Sequence, residues 1–350
     1  MKSNCDILRN HIRLIDIRNT ENITDRVLGI NINKFFMPSV ANVIGTDLSK
    51  YKLISKGKFA CNPMHVGRDE RLPVALYEED TPAIVSPAYF MFEIIDTSVL
   101  DENYLMMWFR RPEFDRICWL HTDGSVRGGI TWEALCLLKF PVPPIEVQKN
   151  IVKAYKTITD RIALKKRIND NLEAMLTAVY FETLFSKEAT ERSKLSRLMT
   201  FGNGKSRPKT DGTIPVYGGN GVLSYTNQYN IENAILIGRV GAYCGSVYLE
   251  QGVCWVSDNA IFAKSKISKD EFFDYFLLKG LNLFNHHVGT GQQLLTQEIL
   301  NNIEVVKPET KQVETFNEKA KAVFETISAN KNEIVWLQKL SDLLLFRLAG

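Results

Sequence analysis

The stretch Ile130-Thr131-Trp132-Glu133-Ala134-Leu135-Cys136-Leu137-Leu138-Lys139-Phe140-Pro141-Val142-Pro143 returns 165 residues later as Leu295-Thr296-Gln297-Glu298-Ile299-Leu300-Asn301-Asn302-Ile303-Glu304-Val305-Val306-Lys307-Pro308. Thr, Glu, Leu and Pro recur at matching places, and apolar residues recur between them. The same shift sets His121-Thr122-Asp123-Gly124-Ser125 against His286-His287-Val288-Gly289-Thr290. A repeat at fixed spacing means that one supersecondary unit occurs twice, and the fold has to be read from that.

The shift continues downstream. Ile151, Tyr155, Ile158, Ile162, Lys165, Asn169, Leu172, Leu176, Val179 and Thr183 advance in steps of four and three. Their equivalents are Phe316, Ala320, Val323, Ile327, Asn330, Ile334, Leu337, Ser341, Leu344 and Leu348. This heptad rhythm is the seam of a helix that packs on another helix. Each run follows prolines, which suit a first helical turn. The sequence therefore predicts two long helices, over 144–186 and 308–350, packed antiparallel as a coiled-coil spacer. A run of about 40 residues at about 1.5 Å each spans about 60 Å, long for a helix lying on a single globular domain. Lys165, Asn169 and Asn330 are polar at seam positions, where such residues fix register at some cost in stability.

The segments before the helices, 1–143 and 187–307, hold short β-rich runs broken by Gly, Pro and Asn. Ala234-Ile235-Leu236-Ile237 and Val253-Cys254-Trp255-Val256 are examples. Val85-Ser86 with Tyr89-Phe90-Met91-Phe92 echoes Val256-Ser257 with Ala260-Ile261-Phe262 at a shift of 171. Between these echoes the segments differ. The pattern is two related α/β scaffolds carrying different loops, in an α+β chain with an internal repeat.

Composition excludes several classes. With 45% apolar and 24% charged residues and a net charge of +3, the chain reads as an ordinary globular protein, not a basic nucleic-acid coat. No apolar run approaches the length of a membrane span and no signal-peptide core opens the chain, so a cytoplasmic location is expected. The six cysteines, Cys5, Cys61, Cys118, Cys136, Cys244 and Cys254, form no CxxC pair and read as free thiols. No metal constellation stands out.

Two motifs resemble catalytic ones and fail. Gly202-Asn203-Gly204-Lys205-Ser206 suggests a phosphate-binding loop, but Met199 stands where its first glycine belongs, and Pro208 and Gly212 oppose the helix that must follow. Ser86-Pro87-Ala88-Tyr89 suggests the [DNS]PP[YF] motif of DNA amino-methyltransferases, but Ala88 replaces the second proline. No glycine motif for S-adenosylmethionine accompanies it, so a structural turn is the reading.

The segment Gly128-Gly129-Ile130-Thr131-Trp132 through Phe140-Pro141-Val142-Pro143-Pro144-Ile145-Glu146-Val147-Gln148, with the helix beyond, resembles the specificity subunits of Type I restriction-modification enzymes. So do Ile214-Pro215-Val216-Tyr217-Gly218-Gly219-Asn220-Gly221, Gly238-Arg239-Val240-Gly241, Asp16-Ile17-Arg18-Asn19 and Cys61-Asn62-Pro63-Met64-His65-Val66-Gly67-Arg68. The resemblance covers nearly the whole chain. It departs where Glu309 and Thr310 follow Pro308 in place of further prolines.

It implies two target-recognition domains, 1–143 and 187–307, held apart by the two helices in a pseudo-twofold arrangement. Each domain would read half of a split site on double-stranded DNA. The helices would dock methyltransferase subunits, expected as two, and restriction/translocase subunits would complete the complex. The chain itself would be non-catalytic, without metal or cofactor; S-adenosylmethionine, ATP and magnesium would belong to the partners. The competing expectations are a coiled-coil adaptor that binds only proteins, and a divergent DNA methyltransferase or nuclease.

Phosphates are contacted by Lys, Arg and amides, and base edges by Arg, Asn, Gln, Ser and Thr. On that chemistry the second domain offers Lys205, Arg207, Lys209, Tyr217, Asn220, Tyr225, Arg239, Thr290, Gln292 and Gln293. The first offers His65, Arg68, Arg71, Ser125 and Arg127. Arg110 and Arg111 read as a helix end.

Overall fold

The computed structural model describes residues 5–64, 66–122, 128–185, 191–289 and 291–348. The chain forms two compact units: Met1–Leu164 with Glu333–Gly350, and Lys165–Asn332. Each therefore contains part of both long helices, which run over Ile145–Phe185 and Thr310–Arg347. The domain segments expected above cut the chain differently, before and after each helix.

In the first unit the strands are β1 (Cys5–Ile7), β2 (Ile12–Leu14), β3 (Val27–Ile30), β4 (Phe36–Pro38), β5 (Lys52–Ile54), β6 (Phe59–Cys61), β7 (Val74–Leu76), β8 (Ala83–Val85), β9 (Phe90–Ile94) and β10 (Lys139–Pro141). They make two four-stranded sheets, β2-β9-β6-β7 and β4-β3-β8-β5, and a two-stranded ribbon, β1-β10. The second unit has β11 (Arg192–Lys194), β12 (Met199–Asn203), β13 (Ile214–Gly218), β14 (Gly221–Thr226), β15 (Ile231–Gly238), β16 (Val247–Val256), β17 (Ala260–Ser265) and β18 (Glu304–Val306). Its sheet is β12-β17-β15-β16-β13-β14, with a separate ribbon β11-β18.

The repeat survives folding as matched local structure. β10 and β18 stand 165 residues apart, each paired antiparallel with the first strand of its scaffold. The short helices Trp132–Cys136 and Gln297–Asn302 begin 165 apart, and the recurring threonine is their N-cap. Thr131 Oγ1 accepts from Ala134 N at 3.2 Å, and Thr296 Oγ1 from Ile299 N at 3.2 Å. A capping hydroxyl satisfies a backbone N–H that the helix cannot, which explains why threonine sits at both places. The second echo is a parallel strand pair: Leu28 lies opposite Val85 as Tyr217 lies opposite Val256.

The apolar cores follow. In the first unit Phe59 and Phe92 stack with centroids 5.1 Å apart, under the buried run Tyr104–Phe109 of the helix Glu102–Phe109. Val152 and Tyr155 of the first long helix, Leu345 of the second and Leu348 just after it join this core. Arg110 caps that helix, as expected. Lys34, with φ of 66°, is buried; its Nζ donates to Asp115 Oδ1 at 2.7 Å and to the Phe109 carbonyl. In the second unit Leu176 and Tyr180 meet Phe273, Phe276 and Phe316.

The long helices run antiparallel. Arg161 pairs with Glu333 at 2.5 Å within the first unit. Within the second, Lys165 Nζ donates to Asn330 Oδ1 at 2.8 Å, Asn330 Nδ2 to Asn169 Oδ1 at 2.8 Å, and Gln312 Nε2 to the Thr183 carbonyl at 3.1 Å. Partner numbers fall as residue numbers rise. Tyr155, Leu176, Phe316, Ile327 and Ile334 are buried, and Ile151, Ile158, Ile162, Leu172, Val323, Leu337 and Leu344 are half-buried. Near the second helix's end Leu345 is buried more deeply than Leu344, because there the helix meets a globular core as well as the other helix.

Candidate nucleic-acid interface

In the second unit, five backbone segments distant in sequence converge. Gly219 comes within 3.6 Å of the carbonyls of Val240 and Asn259, counted from where its Cβ would stand. Arg239 N donates to Asn259 O at 3.0 Å, Leu295 N to Arg239 O at 2.9 Å, and Gly241 N to Gln293 O at 3.0 Å. Lys205 N donates to Val256 O at 2.9 Å, which brings its segment beside the turn Ser257–Asn259. The glycines are required here: a side chain on Gly204 would strike the Ser257 carbonyl, and one on Gly238 the Tyr243 carbonyl. Gly241 has φ of 72°, a conformation that L side chains rarely adopt.

Lys205, Asn220, Arg239, Gln292 and Gln293 are thus brought to one place. Lys205, Asn220 and Gln292 are exposed; Arg239 and Gln293 are half-buried. Arg239 Nη1 donates to the Asp258 carbonyl at 3.5 Å, whereas its Nε is buried with no hydrogen-bond partner among the described residues, as is Ser257 Oγ. Arg207 and Lys209 are exposed on the strand-free segment leading away, which is held where Thr210 Oγ1 meets Thr226 Oγ1 at 2.8 Å. Tyr225 is exposed on β14. Cations with amide side chains over a glycine floor can engage both a phosphate and a base edge.

Tyr217 is a correction. It is 9% exposed, packs with Leu236, Cys254 and Val256, and its hydroxyl donates to Glu250 Oε2 at 2.9 Å. Burial and the neighbouring carboxylate push its phenol well above the usual range. It supports the sheet from within. Its place is set by the parallel pairing of β13 on β16, which a local reading cannot see.

The first unit yields less. Arg71 is exposed; it donates to Asn33 Oδ1 at 3.0 Å and lines a cavity of about 610 Å³ with Arg110 and Arg116. His65, Ser125, Arg127 and, in the second unit, Thr290 lie outside the described residues, as does the side chain of Arg68. Ser86-Pro87-Ala88-Tyr89 is a turn, with Tyr89 N donating to Ser86 O at 3.1 Å and Ala88 N to Ser86 Oγ at 3.3 Å. Gly202 and Asn203 lie in β12 and no helix follows, so no phosphate loop forms.

A second surface is not evident from the sequence reading. On the second long helix Trp336 (68% exposed), Leu340, Leu343 and Phe346 form an apolar stripe away from the seam. On the first, Leu164, Ile168, Met175 and Phe181 are exposed as well. Met175 and Phe181 stand 165 residues before Leu340 and Phe346. The available signal is a surplus of apolar residues beyond the heptad positions.

A family model described as Type I restriction modification DNA specificity domain matches residues 80–174 and 190–336. The chain belongs to this specificity-domain family. As a specificity subunit it is not an enzyme. The crystal structure of a Type-I restriction-modification system S subunit from M. genitalium is similar at a TM-score of 0.63 and 15% identity, covering 100% of this chain and 97% of that one. A solved structure described as the basis of complex assembly and conformational transition of the type I R-M system aligns at 0.50 and 15%, over 99% and 98%. Among curated proteins no sequence matches significantly. Among the described residues of this specificity subunit, no group of three or more His, Cys, Asp or Glu is placed to hold a metal ion, and no helix is long and apolar enough to cross a membrane.

Proposed function

We propose that this specificity subunit reads a split DNA site, with segments 1–143 and 187–307 each recognising one half. The observation that carries the reading is a repeat kept in the scaffold and abandoned in the loops. Threonine caps, ribbon strands, the parallel strand pair and the turn after it (Tyr89 N to Ser86 O, Ala260 N to Ser257 O) recur, whereas the sequences between them differ and the larger sheets are two of four strands in the first unit against one of six in the second. Two readers built on one frame recognise different sequences. The modest net charge of +3 suits a subunit whose partners share the phosphate contacts.

The helices over 144–186 and 308–350 act as the ruler between half-sites and as the docking surface for two methyltransferase subunits. The paired apolar stripes support this, since exposed apolar patches on a helix are covered by a partner. The two places where the stripes coincide in the repeat, Met175 with Leu340 and Phe181 with Phe346, suit two copies of one partner. Restriction/translocase subunits complete the assembly in the cytoplasm, and S-adenosylmethionine, ATP and magnesium are held by those partners.

Methylation mapping of the genome of a host carrying this chain with its methyltransferase tests the reading. The expected result is one methylated motif in two parts with a fixed gap, lost when the chain is deleted. An undivided motif, or methylation that persists after deletion, overturns it.

A further inference from the structure

Lys165 and Asn330 are equivalent residues of the repeat, and they are bonded to each other. A repeat that meets itself at equivalent positions is nearly self-complementary. If the second long helix were replaced by another copy of the first, residue i would lie opposite residue 330 − i, and Lys165 would lie opposite Lys165. Six of the other nine seam positions are apolar on both helices and tolerate this exchange; at the remaining three a polar residue, Asn169, Ser341 or Thr183, stands on one helix only. Ile158, which faces the neighbourhood of Leu337, would face Leu172 instead.

We propose that the Lys165–Asn330 pair makes the two helices choose each other over the same helix of a second copy of this chain. Three observations support it. Lys165 is half-buried and Asn330 is 8% exposed, so the pair sits where solvent screens it weakly. Asn330 is held on both sides, accepting from Lys165 and donating to Asn169 at 2.8 Å each. Pairing like with like turns these contacts into an ammonium facing an ammonium on one helix pair, and an amide facing an amide on the other. A single polar seam residue is enough to specify partner and register in a coiled coil, and specificity comes from the penalty on the wrong pairing. The pair Arg161–Glu333 is also unlike, but Arg161 is 60% exposed there and contributes little.

The test uses the full-length chain in two tagged copies, one carrying Ile158→Cys and the other Leu172→Cys, unfolded together, refolded and oxidised. The two sites lie on the same helix, so a disulfide between copies reports pairing of first helix with first helix. Copies bearing only one of the two substitutions set the background from the native thiols. With the native seam, crosslinking between copies stays at that background. Adding K165N to both copies removes the ammonium clash and raises it about tenfold. The exchanged pair K165N/N330K, which restores one lysine opposite one asparagine, returns it to background. Crosslinking with the native seam equal to that with K165N would overturn the proposal. So would an exchanged pair that crosslinks as strongly as K165N alone.

Discussion

Gln148 ties three backbone segments of the first unit together. Its side chain is fully buried at the start of the first long helix. Nε2 donates to the carbonyls of Val99 at 2.8 Å and Pro143 at 2.7 Å, and Oε1 accepts from Asp101 N at 2.9 Å. Asp101 is the N-cap of the helix Glu102–Phe109, so the amide ties the spacer to the helix that covers the aromatic core. Gln148→Ala leaves one N–H and two carbonyls short of a partner where water does not reach. A buried unpaired group costs about 1–3 kcal/mol, and the carbonyls keep a second lone pair with which to relax, so about 3–5 kcal/mol is expected in total. Four of the five tryptophans, Trp108, Trp119, Trp132 and Trp336, belong to the first unit, so tryptophan fluorescence in urea follows that unit. The midpoint should fall with little change in slope. Gln148→Glu keeps the acceptor, loses both donors and buries a charge, and should cost at least as much. Asn317 does the same work in the second unit, accepting from Phe273 N at 2.8 Å and donating to Ser268 Oγ and Asp270 O. Asn317→Ala should therefore move far-ultraviolet dichroism and leave most of the fluorescence transition in place. A loss below about 1 kcal/mol for Gln148→Ala would refute the reasoning, since it would mean that the freed groups find other partners.

Two further outcomes follow from the chemistry of the second unit. Asp274 is 1% exposed, and burial pushes its pKa up to about 7 against the opposing pull of the Ser265 hydroxyl. A raised carboxyl stabilises the fold while it is protonated and loses that contribution as pH rises from about 4 through 7, so Asp274→Asn should gain on the parent over that window, by at most about 4 kcal/mol at pH 8; urea midpoints at pH 4 and pH 8 with an unchanging gap would contradict it. Lys205→Ala with Arg207→Ala should weaken DNA binding by the assembled methyltransferase complex and lower the slope of log affinity against log salt by about 2, and an unchanged slope would remove these residues from the phosphate contacts.

What is legible in the sequence depends on the range of the interaction. The seam from Ile151 to Leu176 and its equivalent from Phe316 to Leu337 can be read because a helix writes its packing face into steps of three and four. The recurring threonines are visible as a repeat, whereas their role as caps shows only where Ala134 N and Ile299 N meet their hydroxyls. Tyr217 misleads because its burial is decided by β16, some forty residues downstream. Trp336, Leu340 and Phe346 escape notice because an apolar residue on a helix looks the same in sequence whether it faces a core or a missing partner; only the position of the seam, once known, shows them to be on the outside.

Gln148 and Asn317 show where the repeat itself stops being informative. Each is a buried amide in the early turns of a long helix, and each holds the start of the apolar helix that lies on it. Yet the equivalent of Gln148 at a shift of 165 is Val313, and the equivalent of Asn317 is Val152. The second scaffold meets the same need, satisfying the backbone where sheet, short helix and spacer join, from one helical turn further along and with a shorter side chain. An alignment pairs residues, whereas the fold pairs unsatisfied backbone groups with whatever amide can reach them. The two halves of this specificity subunit are thus related by the sites that must be filled, which leaves the residues filling them, and the loops that project from them, free to diverge.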